Sequence, residues 1–186
     1  MISSRASRRT QLAATLVVVL AGCSSYTPPA ARAPVDKETR IGAPVESVWK
    51  AVIRYFGDLN MPIENLDHSS FFIKTRPVDL ATSFRGLSFK ESSAPISTSS
   101  CDCGSGSMAN VWSSTTRVHV SFNVILEPEG DAATRARVNA FFAGVKLGKR
   151  RLDTSGYDTE MRLTCVSTGN FERDLARFLE RSASAR

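Results

Sequence analysis

Apolar residues recur along this chain in three rhythms, and each predicts a different element. Near the N-terminus a largely apolar run from Leu12 to Leu20, with Thr15 its one polar residue, follows Arg5, Arg8 and Arg9, with no acid among them. So short a run cannot span a bilayer as a helix, and it reads as the core of a signal peptide. Further on, Val45, Val48, Trp49, Val52 and Phe56 recur at helical spacing, with Glu46, Lys50 and Arg54 opposite. The pattern predicts a helix over 44–56, with Pro44 at its first position and Gly57 closing it in a left-handed conformation. Phe171, Leu175, Phe178 and Leu179 predict a second amphipathic helix, started by Ser167-Thr168-Gly169-Asn170.

The third rhythm is strict alternation. Val118, Val120, Phe122, Val124 and Leu126 face one way, and Arg117, His119, Ser121, Asn123 and Glu127 the other, with Ile125 the one apolar intruder. That is the period of a half-buried strand. A turn over 127–131 leads into a return strand from Thr134 to Val145, with Ala136, Val138, Ala140 and Phe142 on one face. Residues 61–66 and 71–75 flank Asp67-His68-Ser69-Ser70 as a hairpin, 37–41 reads as a short edge strand, and 161–166 as a last strand. The expected order is β-α-β-β…β-β-β-α. Because each helix and strand has a single apolar face to hide, the fold class is α+β: one antiparallel sheet with helices packed on one face. Residues 78–114 are too long and too Ser/Gly-rich for an ordinary connector. Phe84, Leu87, Phe89, Ile96, Met108, Val111 and Trp112 punctuate them, either to pack over the sheet as a lid or to offer a partner surface.

Composition narrows the class. With 186 residues, 42% hydrophobic and 23% charged, the chain is near the globular average, which excludes collagen, wholesale disorder and a multi-span membrane protein. Leu20-Ala21-Gly22-Cys23 resembles the bacterial lipobox, which implies cleavage before Cys23 and a diacylglyceryl group on its sulfur. Ser24, rather than Asp, after that cysteine implies sorting to the outer membrane. Cleavage would remove three arginines and lower the formal charge from +6 to about +3, so nucleic acid is not implied. The organisation is therefore a signal peptide over 1–22, a lipidated cysteine and Pro/Ala-rich tether over 23–36, and one globular domain over 37–184 with the insertion at 78–114. An extended tether at about 3.1 Å per residue would hold the domain some tens of Å from the lipid.

The lipobox, the Pro-rich tether, Pro44-Val45-Glu46-Ser47-Val48-Trp49 at the helix start, the Met61-Pro62-Ile63-Glu64 strand and the β-α-β…β-α order together resemble the BamC-type lipoproteins of the outer-membrane β-barrel assembly machinery. The resemblance spans most of residues 37–181. It implies a helix-grip fold and an accessory role in an envelope assembly complex. BamC-type proteins have two such domains and a longer N-terminal arm, whereas this chain has room for one domain and a short tether.

Candidate chemistry is sparse. Beyond Cys23, three cysteines remain, and an odd number in an oxidising compartment implies one bridge and one free thiol. Cys165 shares the inward face of Met161 and Leu163, so a disulfide to either Cys101 or Cys103 would pin the Ser/Gly-rich stretch. The alternatives are a Cys-x-Cys redox loop or a metal-binding loop. His68 and His119 add too few ligands for a metal, and Ser105 between two glycines lacks a nucleophile-elbow context. Lys146, Lys149, Arg150 and Arg151 form a basic cluster suited to solvent or to an anionic headgroup. The reading is of a non-enzyme with no cofactor: a lipid-anchored periplasmic interaction module of the outer membrane, with an envelope protein as partner. A second reading is a carrier of a small apolar ligand, its cavity lined by Trp49, Phe71, Phe122 and Phe142 with Trp112 in the lid. A third is a redox protein using Cys101 and Cys103.

Overall fold

Two long strands joined by a tight turn form the spine on which the other elements are hung. The computed structural model describes residues 25–31, 34–88, 96–108, 111–150 and 159–184. Cys23, Phe89 and Arg151 lie outside these residues, as do the side chains of Val111, Trp112 and Arg150. In chain order the elements are β1 (Ser25–Thr27), β2 (Glu38–Ile41), α1 (Val45–Asp58), β3 (Ile63–Asp67), β4 (Phe72–Thr75), β5 (Val78–Asp79), α2 (Leu80–Ser83), α3 (Ile96–Ser99), β6 (Cys101–Asp102), β7 (Ser105–Ser107), β8 (Val111–Pro128), β9 (Thr134–Arg150), β10 (Thr159–Thr164), β11 (Val166–Ser167) and α4 (Asn170–Ser184).

The fold is mixed α+β with antiparallel pairing. The main sheet runs β10-β9-β8-β4-β3; β2 shares the outer edge of β9 with β10, and β5 pairs with β8 beyond the end of β4. Two small ribbons, β1 with β7 and β6 with β11, accompany it, so the expected single sheet is incomplete as a description. The reason lies in the length of β8 and β9. Over Val118–Leu126 the spine alternates apolar and polar residues and is covered by helices. Over Ser113–Thr116 it is polar, and its partner strand β9 is covered from Gly144 to Lys146 by the ribbon segments instead.

Both main helices pack on the same face of the sheet. Val48, Trp49, Val52 and Phe56 of α1 and Phe171, Leu175 and Leu179 of α4 join Val120, Phe122, Val124, Leu126, Ala136 and Val138 in one core. At ~25 cal/mol per Å² of apolar area removed from water, a stripe of this kind is what makes these short helices stable. Pro44 stands one residue before its expected place, as the N-cap of α1, where its carbonyl accepts from Ser47 N–H at 2.9 Å and Val48 N–H at 3.2 Å. Gly57 does not end the helix. Asn60 does, with φ 53°: Met61 N–H reaches back to the Phe56 carbonyl and Asn60 N–H to the Gly57 carbonyl, both at 2.9 Å. This is the Schellman arrangement, and it puts Met61 and Phe56 together in the core.

The hairpin forms where alternation placed it. Asp67 accepts from Ser69 N–H at 3.0 Å and from the Ser69 and Ser70 hydroxyls at 2.7 Å, and Phe71 leaves the turn at φ 49°. Pro77 has no N–H to offer the ladder beside β8, and just before it the buried Thr75 ties the strand margin down by its side chain, Oγ1 accepting from Phe122 N–H at 2.9 Å.

The described residues of 78–114 include β5, α2, α3, β6, β7 and the start of β8. Asp79 caps α2 by accepting from Ala81 and Thr82 N–H. Leu80, Phe84 and Ile96 are fully in the core, while Leu87 is exposed and Met108 is intermediate.

Candidate functional site

The most chemically distinctive place in the domain is the junction of the two ribbons. Cys103 and Cys165 form a disulfide, with an S–S distance of 2.02 Å and a sequence separation of 62 residues. The bridge therefore runs from the Ser/Gly-rich stretch to the end of β10, and Cys103 rather than Cys101 is the partner. Cys101 is a free thiol whose Sγ lies 3.7 Å from Cys103 Sγ. Burial, with a smaller contribution from Asp102, pushes that thiol up to about 11.

Backbone and side-chain bonds stitch the segment before the bridge to the segment after it. Thr168 N–H donates to the Ser100 carbonyl at 3.0 Å, the Thr168 hydroxyl to the Ser99 carbonyl at 2.6 Å, and the Asn170 amide to the same Ser99 carbonyl at 2.7 Å. Val166–Ser167 then pair with Cys101–Asp102. Glu172 is buried here, with Oε2 accepting from the Ser167 hydroxyl at 2.9 Å; its Oε1 has no partner among the described residues.

Glycine is required beneath the sulfurs. A Cβ on Gly144 of β9 would stand 2.7 Å from Cys165 Sγ and 3.0 Å from Leu163 Cβ. Gly104, with φ 66°, brings its backbone so close to the N-terminal segment that a Cβ would stand 2.3 Å from the Thr27 carbonyl oxygen.

That closeness is the seat of β1. Ser25, Tyr26 and Thr27 pair with Ser107, Gly106 and Ser105. The Tyr26 hydroxyl accepts from Thr164 N–H at 2.9 Å, and its oxygen lies 2.8 Å from the Thr164 carbonyl and 3.1 Å from the Cys103 carbonyl, two acceptors for its proton. Lys146 donates from Nζ to the Gly106 carbonyl, so this member of the basic cluster is tied to the ribbon. Residues 25–27, expected within an extended tether, are thus bound to the domain. Polar strands this short leave no periodicity to read, and their partner is far off in sequence.

The aromatic residues expected around a ligand divide into separate groups. Trp49 meets Phe71 and His68 edge-on, at ring-centroid distances of 5.8 and 5.5 Å, near the hairpin turn. Phe122 packs with Phe56 at 5.6 Å and with Phe171 at 4.9 Å, and Phe171 with Phe84 at 5.4 Å. Phe142 is partly buried at the edge of the core. The rings of Phe56, Phe84, Phe122 and Phe171 are fully buried and pack on one another in the core.

The three sulfurs lie within 4.8 Å of one another, the grouping a soft cation would need, but two are spent on the disulfide. For thiol-disulfide exchange Cys101 must be a thiolate, and a pKa of about 11 leaves on the order of one molecule in ten thousand ionised at pH 7. What the arrangement does well is mechanical: it fastens residues 25–27, 101–107 and 164–170 into one unit. No family model matches this chain, and no curated protein is significantly similar to it.

Proposed function

We propose that the protein is a lipid-anchored module of the outer membrane, facing the periplasm, that holds an envelope protein partner and does no catalysis. The observation that carries this reading is the seat of β1. Ser25 lies two residues after Cys23, so a lipid on Cys23 is at most about 7 Å of chain from a strand hydrogen-bonded to the domain. The lipid and the disulfide-fastened ribbons would then act together to hold the domain at the bilayer in one orientation. A helix-grip-like arrangement of α1 and α4 over the sheet fits the same reading, and the packed rings of Phe122, Phe56 and Phe171 favour it over a ligand carrier.

The test is Cys23→Ser. Acyl labelling should mark the wild type and not the variant, and fractionation should place the wild type in the outer membrane. Label that persists in the variant refutes the anchor. Recovery of the protein alone from detergent-solubilised membranes, at native expression, refutes the partner.

A further inference from the structure

The outer side of the two main helices carries a feature that the anchor does not use. Tyr55 donates to Asp174 Oδ2 at 2.9 Å, and the Arg54 guanidinium lies 5.9 Å from the centre of the Phe178 ring. Between the helices is an open groove of about 470 Å³, reaching from Ser47 to Arg54 along α1 and from Phe178 to Ser182 along α4. Ala51 and Phe178 supply its apolar surface. Lys50, Arg54 and Arg181 supply three cations, and no carboxylate is among the described lining residues. Lys50 and Arg54 stand one turn apart on the same face of α1, a placement that weakens an isolated helix by like-charge repulsion. Asp58 compensates only loosely, at 3.9 Å from Arg54 with both side chains exposed. Cations gathered around an apolar strip at this spacing are complementary to a chain that presents carboxylates and an apolar side chain together.

We infer that this groove binds an acidic segment of a protein partner, with carboxylates on Lys50, Arg54 and Arg181 and an apolar side chain against Ala51 and Phe178. The inference rests on the proposed interaction role and names the surface and the chemistry of the partner. Position favours a protein segment over lipid headgroups. Asn170, at the start of α4, adjoins the ribbon junction that seats the N-terminal strand, and Arg181 is about 16 Å further along that helix at 1.5 Å per residue. The groove therefore lies toward the end of α4 remote from the attachment point.

The test uses the full-length lipoprotein in nonionic detergent and a dye-labelled peptide of alternating Glu and Leu, read by fluorescence anisotropy. The peptide should bind, and its Lys-Leu counterpart should not. Lys50→Glu with Arg181→Glu should weaken binding by about tenfold or more, and raising the salt should weaken it in the wild type. Arg181→Gln, a milder change, should weaken it less, and a thermal melt checks that each variant is folded. Equal affinity in a folded charge-reversed variant overturns the inference, as does equal binding of the Lys-Leu peptide. Displacement of the peptide by short-chain phosphatidylglycerol, bound more tightly than the peptide, overturns it in favour of a headgroup site. Failure of the two readings is separable: if charge reversal leaves a membrane pull-down unchanged, the groove is refuted and the module stands. Acyl labelling that fails while peptide binding succeeds refutes only the anchor.

Discussion

Tyr26 and Thr164 are joined twice through one hydroxyl, which accepts from the Thr164 N–H at 2.9 Å and lies 2.8 Å from the Thr164 carbonyl oxygen. The two residues are 138 positions apart. The contact closes the domain onto its own N-terminal segment immediately beside the disulfide.

Tyr26→Phe keeps the ring and deletes the hydroxyl. Each lost hydrogen bond is worth about 1 kcal/mol, enough to free a three-residue strand without unfolding the core. Hydrogen exchange should show faster exchange at Tyr26, Gly106 and the Thr164 amide, with the amides of α1 unchanged. Unchanged protection at Thr164 would mean that the β1–β7 ladder alone seats the strand.

Removing the bridge acts more widely. Cys103→Ser opens a loop of 62 residues and should lower stability by about 2–4 kcal/mol, read as a shift in the urea midpoint. In the intact protein, Cys101 should resist alkylation at pH 7, with the rate climbing until pH approaches about 11. Because folding raises the pKa of this thiol, its contribution to stability is fully present below its ordinary value of 9.0 and is lost as pH rises through about 11. Rapid labelling at pH 7 would contradict the burial of Cys101.

Tyr55 is held well above the ordinary phenol range, first by burial and then by Asp174. Its tyrosinate absorbance should be missing from an alkaline titration of the folded protein and emerge only with unfolding. Tyr55→Phe leaves Asp174 Oδ2 without this donor between α1 and α4, and should cost on the order of 1–3 kcal/mol in chemical denaturation.

Gly144→Ala tests the fit beneath the sulfurs. The added methyl meets Cys165 Sγ at 2.7 Å and Leu163 Cβ at 3.0 Å, so β9 and β10 must part or the bridge must move. A loss of about 1–3 kcal/mol is expected, with faster reduction of the disulfide by a thiol reagent. Ala at Gly57, where no atom lies within 4 Å, is the control and should be neutral or stabilising.

The elements that declare themselves in the sequence are those whose environment is one-sided. The stripe from Val45 to Phe56 and the alternation from Val118 to Leu126 each face a single core, and period alone locates them. Sequence alone does not locate the end of α1, because both Gly57 and Asn60 suit a left-handed residue, and only the packing of Met61 on Phe56 decides between them. The start of β8 leaves no mark in the sequence because Ser113 to Thr116 lie beyond the helices and need no apolar alternation. The choice of Cys103 over Cys101 goes with the register of β6 on β11, in which Cys101 stands opposite Ser167 and the chain just past β6 meets Cys165, a non-local pairing with no periodic trace.

The break on the outer edge of β9 has a consequence for self-association. β2 pairs with Thr134 to Arg137, β10 with Ala143 to Gly148, and between them Pro29, Ala30, Pro34 and Val35 lie in a shallow depression with Ala140 and Val166. A sheet margin with exposed amides invites another strand, and prolines placed along it cannot complete a ladder. The Pro-rich segment ahead of β2 therefore also works as a guard, and high local concentration of the chain is the circumstance in which such a guard is most needed.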